Sequence, residues 1–286
     1  MTPRRPKRED PQAACPIGPP SFSLGESVAQ PFRIEVAGET NVGRKRNHNE
    51  DNFALMPDYG LFIVADGMGG HASGEVASKM AVDSMQEFFS QTQEDPERTW
   101  PYKMDRSKGY EENRLITGIK LANLRIYETA QRESKKRGMG TTFVSICTAN
   151  DGVYVAHVGD SRVYRFRDGK IEALTEDHSL LNDYIKMKRL TAEEIQNFPH
   201  KNVIVRALGM KDTVKVDTRF EIPALNDVYL LCSDGLCGPV TDEAMAAVLN
   251  EYAGTDLKMA AAKLIERANE NGGPDNVTAV LVRWTQ

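Results

Sequence analysis

Acidic residues recur at one kind of place in this chain, where an apolar run ends or a tight turn begins. Asp66 closes the run Leu61-Phe62-Ile63-Val64-Ala65, and Asp234 closes Tyr229-Leu230-Leu231-Cys232-Ser233. Asp160 follows Val158-Gly159 and precedes Ser161-Arg162, while Asp275 lies in Gly272-Gly273-Pro274-Asp275-Asn276 ahead of the last apolar run. Asp51 and Glu50 end the cluster Arg46-Asn47-His48-Asn49-Glu50-Asp51. Taken singly, each acid is an ordinary turn former or part of a solvated loop. Taken together, acids at strand ends converge on one edge of a sandwich, where they repel one another unless cations neutralise them. Hard oxygen ligands of this kind favour magnesium, manganese or calcium over zinc.

The glycines after Asp66 let backbone carbonyls approach a ligand. Gly67-x-Gly69-x-x-Ala72 also matches a dinucleotide fingerprint, which needs a strand before it and a helix after it. Asp66 would then sit beside a pyrophosphate, and the chain lacks the β-α rhythm of a doubly wound sheet, so that reading is set aside. The cysteines, Cys15, Cys147, Cys232 and Cys237, are too few and scattered for a disulfide framework and form no C-x-x-C pair. None stands six residues before an arginine, which excludes a cysteine-nucleophile phosphatase. They are expected to be reduced thiols, with Cys232 lining a core.

Short β-rich runs are expected to position these residues: Phe32 to Thr40, Leu61 to Ala65, Thr142 to Cys147, Val153 to Val158, Arg162 to Phe166, Val214 to Phe220, Val228 to Cys232 and Val277 to Trp284. Asp151-Gly152 and Asp168-Gly169 are hairpin signals, so the strands they join must be antiparallel. Helical periodicity appears in Ala77, Met80, Ala81, Ser84, Met85 and Phe88. It recurs from Glu111 to Lys136, through Leu115, Ile119, Ala122, Ile126 and Ala130, and again from Leu257 to Ala268. Thr241 before Asp242 and Glu243 predicts a helix N-cap. Helices segregated from antiparallel strands indicate an α+β layered domain. Residues 94 to 109 read as an inserted loop of no legible role.

The chain has 286 residues, 40% of them hydrophobic, enough for a sizeable core. No apolar run nears the roughly 18 residues that span a bilayer, and the first 20 residues lack a signal-peptide centre, so a cytoplasmic protein without a membrane partner is expected. A formal charge of -5 argues against nucleic acid. Arg4, Arg5, Lys7 and Arg8 run against that balance, in a leader (residues 1–31) rich in Pro, Gly and Ser that reads as a disordered extension.

In order along the chain, Arg46 to Asp51, Val64 to Glu75, Gly140-Thr141-Thr142, His157 to Arg162, Leu230 to Gly235 and Gly273 to Thr278 resemble the motifs of the PPM family, the type-2C metal-dependent protein serine/threonine phosphatases, in bacterial form. The resemblance covers about Val36 to Trp284. It implies a four-layer α-β-β-α sandwich with two central antiparallel sheets, over residues 32–286, and a flap over about 177–206 with helical segments Ser179 to Met187 and Thr191 to Asn197. It implies that Asp51, Asp66, the Gly67 carbonyl, Asp234 and Asp275 hold two Mn2+ or Mg2+ ions. Glu50 would reach one ion through water, and Asp160 would hold a weaker third.

Arg46 matches the family's phosphate-binding arginine, whose guanidinium fork pairs with two phosphate oxygens at once. Met68 stands where many eukaryotic members carry a histidine proposed as general acid, which leaves His71 or a metal-bound water for that task. The implied reaction is metal-dependent hydrolysis of phosphoserine and phosphothreonine in proteins, by a monomer opposing serine/threonine kinases. Two rivals stand beside it. A partner-switching phosphatase serving one regulatory protein is disfavoured by the full Arg46 and Asp160 motifs, and a pseudophosphatase would be expected to lack a core ligand.

Overall fold

The computed structural model describes residues 33–70, 73–188, 190–196, 198 and 203–286. The expected extension over residues 1–31, and His71 with its proposed role, lie outside these. The first sheet contains β1 (Arg33–Asn41), β7 (Arg162–Arg167), β8 (Lys170–Ala173), β10 (Val228–Cys232) and β11 (Val277–Thr285), in the order β1-β11-β10-β7-β8. The second contains β2 (Asp51–Met56), β3 (Leu61–Met68), β5 (Phe143–Ala149), β6 (Gly152–Val158) and β9 (Asp217–Glu221), ordered β2-β3-β5-β6-β9, with the short β4 (Gly140–Thr141) on β3. The strand pairs are antiparallel. At the β7–β8 hairpin Asp168 and Gly169 both take positive φ, 51° and 75°, as its two-residue turn demands.

Helices α1 (Ser73–Glu94) and α2 (Tyr110–Arg132) cover the outer face of the second sheet, and α6 (Asp242–Tyr252) and α7 (Leu257–Glu270) that of the first. The central strands are therefore buried on both faces, which is why they read as unbroken apolar runs. In β3, Leu61, Ile63 and Ala65 meet the helices while Phe62 and Val64 enter the layer between the sheets. In β10, Leu230 and Cys232 face α6 and α7, while Tyr229 and Leu231 face inward, the Tyr229 ring 4.8 Å from that of Trp284. Burying side chains of this size stabilises the fold by roughly 1.5–3 kcal/mol apiece. This is the four-layer α-β-β-α sandwich that the motifs implied.

Most expected elements appear within a few residues of their predicted bounds, and Thr241 Oγ1 accepts from Ala244 N at 3.3 Å as the N-cap of α6. Three differ. The second helix stops at Arg132 rather than continuing to Lys136, because Glu133 turns extended and Ser134–Lys136 forms a 3-10 turn. The run from Val214 pairs only from Asp217 onward. Strand β2 was not expected beyond its first residue. Between α2 and β9 lie α3 (Leu180–Lys188) and α4 (Ala192–Gln196), close to the helical segments expected in the flap. In the 94–109 loop Trp100 sits edge-on against Phe88, with centroids 5.7 Å apart.

Candidate active site

Strand register brings the sequence-predicted residues to one end of the sandwich. In the second sheet Asp51 opens β2 directly opposite Asp66 near the end of β3. In the first, the end of β10 lies beside the starts of β7 and β11, through Cys232↔Arg162 and Cys232↔Ala279. Asp234 just after β10, Asp160 just before β7 and Asp275 just before β11 therefore share that end. Asp234 begins the one-turn α5 (Asp234–Cys237). A cleft of about 810 Å³ opens there, lined among others by Asp160, Arg162, Asp177, Val203, Asp234 and Asp275.

Asp51 is 5% exposed; its Oδ2 accepts from Ser233 Oγ at 2.8 Å, just past β10, and from Thr278 Oγ1 at 2.7 Å, on β11 of the opposite sheet. Among the described residues Asp51 Oδ1, Asp160 Oδ1 and Asp234 Oδ1 are buried with no hydrogen-bond partner. Such orphaned oxygens are costly unless a cation or water meets them. Burial pushes Asp51 up to about 6 despite its two hydroxyl donors, with Asp234 and Asp275 adding to the rise. Burial, then Asp234, pushes Asp160 up to about 7. Asp66 is held well above the usual carboxylate range, first by burial and then by Asp51, Asp234 and Asp160. Asp234 is raised by burial and by Asp275.

Gly67 is required here, since a Cβ would lie 2.1 Å from Gly74 O and 2.6 Å from Glu50 O. Its N–H donates to Glu50 O at 3.1 Å, and Glu50 Oε1 accepts from Gly74 N at 3.2 Å. Arg46, 51% exposed, reaches Asp275 Oδ2 with Nη2 at 2.7 Å; the rest of its fork has no protein acceptor among the described residues. That hydrogen bond raises its pKa further. Met68 closes β3 opposite Gly140, and its thioether is no proton donor at neutral pH. Arg162 does not pair with Asp160; its fork binds Asp177 at 2.7 and 2.8 Å.

Sequence reasoning assigned no role to Ser233, Asn276 or Thr278, although all three stand inside the quoted motifs. A hydroxyl or amide beside a strand-end acid was the available signal. It also missed a second cluster, His157, His178 and Asp217, whose donor atoms lie within 4.8 Å of one another. Among the described residues no other His, Cys, Asp or Glu trio comes as close. At the histidine cluster Arg206 Nη1 lies 2.9 Å from His178 Nε2 and 3.1 Å from Asp217 Oδ2.

A four-layer sandwich with an aspartate-lined cleft at the sheet ends defines a phosphatase of the PPM type. The model of the family described as protein phosphatase 2C matches residues 40–283, and the chain belongs to that family. It is 38% identical over 251 residues to the serine/threonine phosphatase stp of Listeria welshimeri, an alignment spanning 85% of this chain and 93% of that one. Its structure resembles the Mycobacterium tuberculosis serine/threonine phosphatase PstP/Ppp, with TM-score 0.77, 32% identity, and coverage of 88% of this chain and 99% of that. It also resembles the catalytic domain of PstP in complex with two manganese ions, with TM-score 0.73, 31% identity, and coverage of 90% and 100%. The protein is a serine/threonine protein phosphatase, a hydrolase whose substrates are phosphoproteins.

Proposed function

We propose that the chain hydrolyses phosphoserine and phosphothreonine esters at a dinuclear Mn2+ or Mg2+ site, opposing serine/threonine kinases. The observation that carries this reading is that Asp51, Asp160 and Asp234 each keep a buried, unpartnered oxygen at one end of the sandwich, where Asp160 and Asp234 line the cleft. Asp51, Asp66, the Gly67 carbonyl, Asp234 and Asp275 would hold two ions, Glu50 would reach one through water, and Asp160 would hold a weaker third. Bound there, the ions supply a water of lowered pKa and neutralise charge on the phosphoryl group.

The chain's own contribution is positional. Ser233 and Thr278 fix Asp51, the Gly74 amide orients Glu50, and Asp275 anchors Arg46. The free part of the Arg46 fork is suited to two phosphate oxygens. Met68 supplies no proton for the leaving oxygen. The PstP structure with two manganese ions supports the metal assignment.

The same reading takes residues 32–286 as the phosphatase domain, with a flap over about 177–206. The charge of -5 supports a protein that binds no nucleic acid. None of the described helices is long and apolar enough to cross a membrane, in keeping with a cytoplasmic signalling enzyme that acts as a monomer without a membrane partner. The test is turnover of a phosphothreonine peptide with Mn2+ by wild type, by Asp234→Asn and by wild type in EDTA. Activity in the first arm alone is expected; turnover that survives EDTA, or none at all, would overturn the reading.

A further inference from the structure

His178 stands where the segment expected to form the flap leaves the fold, and it grips the loop that carries Asp160. Its backbone N–H donates to Gly159 O at 2.9 Å, and its ring Nδ1 accepts from Gly159 N at 3.0 Å. Because Nδ1 accepts, the neutral ring carries its proton on Nε2, which donates to Asp217 Oδ2 at 3.0 Å. Arg206, at the far end of the segment, donates from Nη1 to the same Oδ2 at 3.1 Å. Backbone bonds close the two ends together: Val205 N to His178 O and Leu180 N to Val203 O, both 2.8 Å. The His157 ring stacks on that of His178 at 4.6 Å and bonds Glu176 O through Nε2 at 2.9 Å.

Asp160 has little else to orient it. Its Oδ1 has no partner among the described residues, and it lies between two anchored neighbours. Gly159 is held by His178, and Ser161 Oγ pairs with Thr142 Oγ1 at 2.7 Å. With Arg206 Nη1 already against His178 Nε2 and Asp217 Oδ2 as their cation, His178 is left with a mechanical task. We infer that His178 is a positioning residue that carries the seating of the 177–206 segment, through Gly159, to the carboxylate of Asp160. This rests on the proposed reading of Asp160 as a weak cation ligand.

The experiment uses the full chain and three substitutions. Asn places its Oδ1 near the position of Nδ1, so His178→Asn keeps the acceptor for Gly159 and loses Asp217. Gln places its amide nitrogen near Nε2, so His178→Gln keeps Asp217 and loses that acceptor; His178→Ala loses both. Two readouts are taken: hydrogen exchange of the Gly159 amide by NMR in metal-free protein, and the Mn2+ concentration giving half-maximal turnover.

For His178→Gln and His178→Ala, Gly159 exchange about tenfold faster is expected, together with a rise in half-saturating Mn2+ that matches Asp160→Asn. In His178→Asn both quantities should stay near wild type. Equal changes in the Asn and Gln variants, or unchanged Gly159 exchange in all three, would overturn the inference and leave His178 a packing residue. If Asp160→Asn leaves the Mn2+ dependence untouched, the cation reading of Asp160 fails. Gly159 exchange then decides the clamp alone: fast in Gln and slow in Asn supports it, and any other pattern overturns it.

Discussion

Thr278 Oγ1 donates to Asp51 Oδ2 at 2.7 Å and so joins the two sheets at the end where the aspartates gather. The direction of the chain behind it follows from counting protons. Thr278 spends its only hydroxyl proton on the carboxylate, so it must accept from Thr40 Oγ1 at 2.7 Å, which in turn accepts from Asn49 Nδ2 at 2.9 Å. Asn49, Thr40 and Thr278 thus form a one-way relay that delivers a donor to Asp51. Removing the last member of this relay leaves Asp51 Oδ2 with Ser233 alone and frees the carboxylate to rotate. Thr278→Val is expected to weaken Mn2+ binding about tenfold and to cost about 1–2 kcal/mol of stability. Calorimetric Mn2+ titration and urea unfolding check the two halves; unchanged affinity would show that the relay does not tune the site.

Asn276 uses both ends of its amide. Oδ1 accepts from Glu50 N at 2.8 Å, while Nδ2 donates to Val42 O at 2.9 Å and His48 O at 2.8 Å. It therefore ties the start of β11 to the loop that carries Arg46. Asn276→Asp is isosteric, but it turns an oxygen on two carbonyls and adds a charge beside Asp275. Loss of about 2–4 kcal/mol is expected, read as a lower urea midpoint at neutral pH. A variant as stable as wild type would mean the loop is held elsewhere.

The legible parts of this molecule were those whose cause is local. Leu61 to Ala65 and Val228 to Cys232 read as strands because burial on both faces leaves them wholly apolar, and Asp168-Gly169 is a turn wherever it occurs between strands. Strand β2 was hidden because Asp51–Met56 shows only an irregular burial pattern and is fixed by its pairing with β3. The overrun of the second helix has the opposite cause: its apolar spacing stops at Ala130, so no buried residue holds Ser134–Lys136 to the helix and the backbone turns extended at Glu133. The aspartates were found because each lies at the end of an apolar run or at a tight turn within ordered motifs. The cluster of His157, His178, Arg206 and Asp217 left no such trace, since its members come from separate segments and meet only through the second sheet and the base of the 177–206 segment.

Arg46 offers a direct test of fork geometry. One arm is held by Asp275, so the arrangement pre-orients the remaining N–H groups without consuming them. Arg46→Lys keeps the charge and removes the second parallel donor. On the proposed role, kcat/KM for a phosphothreonine peptide should fall about 10–100-fold, mostly through KM, while Mn2+ affinity stays close to wild type. A fall in Mn2+ affinity with KM unchanged would reassign Arg46 to holding Asp275 for the metal.

The raised carboxylates make metal loading a proton exchange. Without cations Asp51 titrates at about 6 and Asp160 at about 7, against an ordinary aspartate near 3.8. Both pKa values are higher in the fold than in the unfolded chain. The metal-free native state therefore holds extra protons between about pH 4 and pH 7, and its stability declines as pH rises through that window. Cations compete with those same protons, so Mn2+ affinity should rise with pH from about 5.5 to 8. Titration calorimetry at about pH 5.5 and pH 8, in two buffers of different ionisation enthalpy, counts the protons released. Release on the order of one proton or more at the lower pH and less at the higher is expected. EDTA should accordingly lower the melting temperature more at about pH 8 than at pH 5.5, because the unneutralised aspartates repel one another only once their protons are gone. Equal proton release at the two pH values would show that these carboxylates are ionised before the metal arrives.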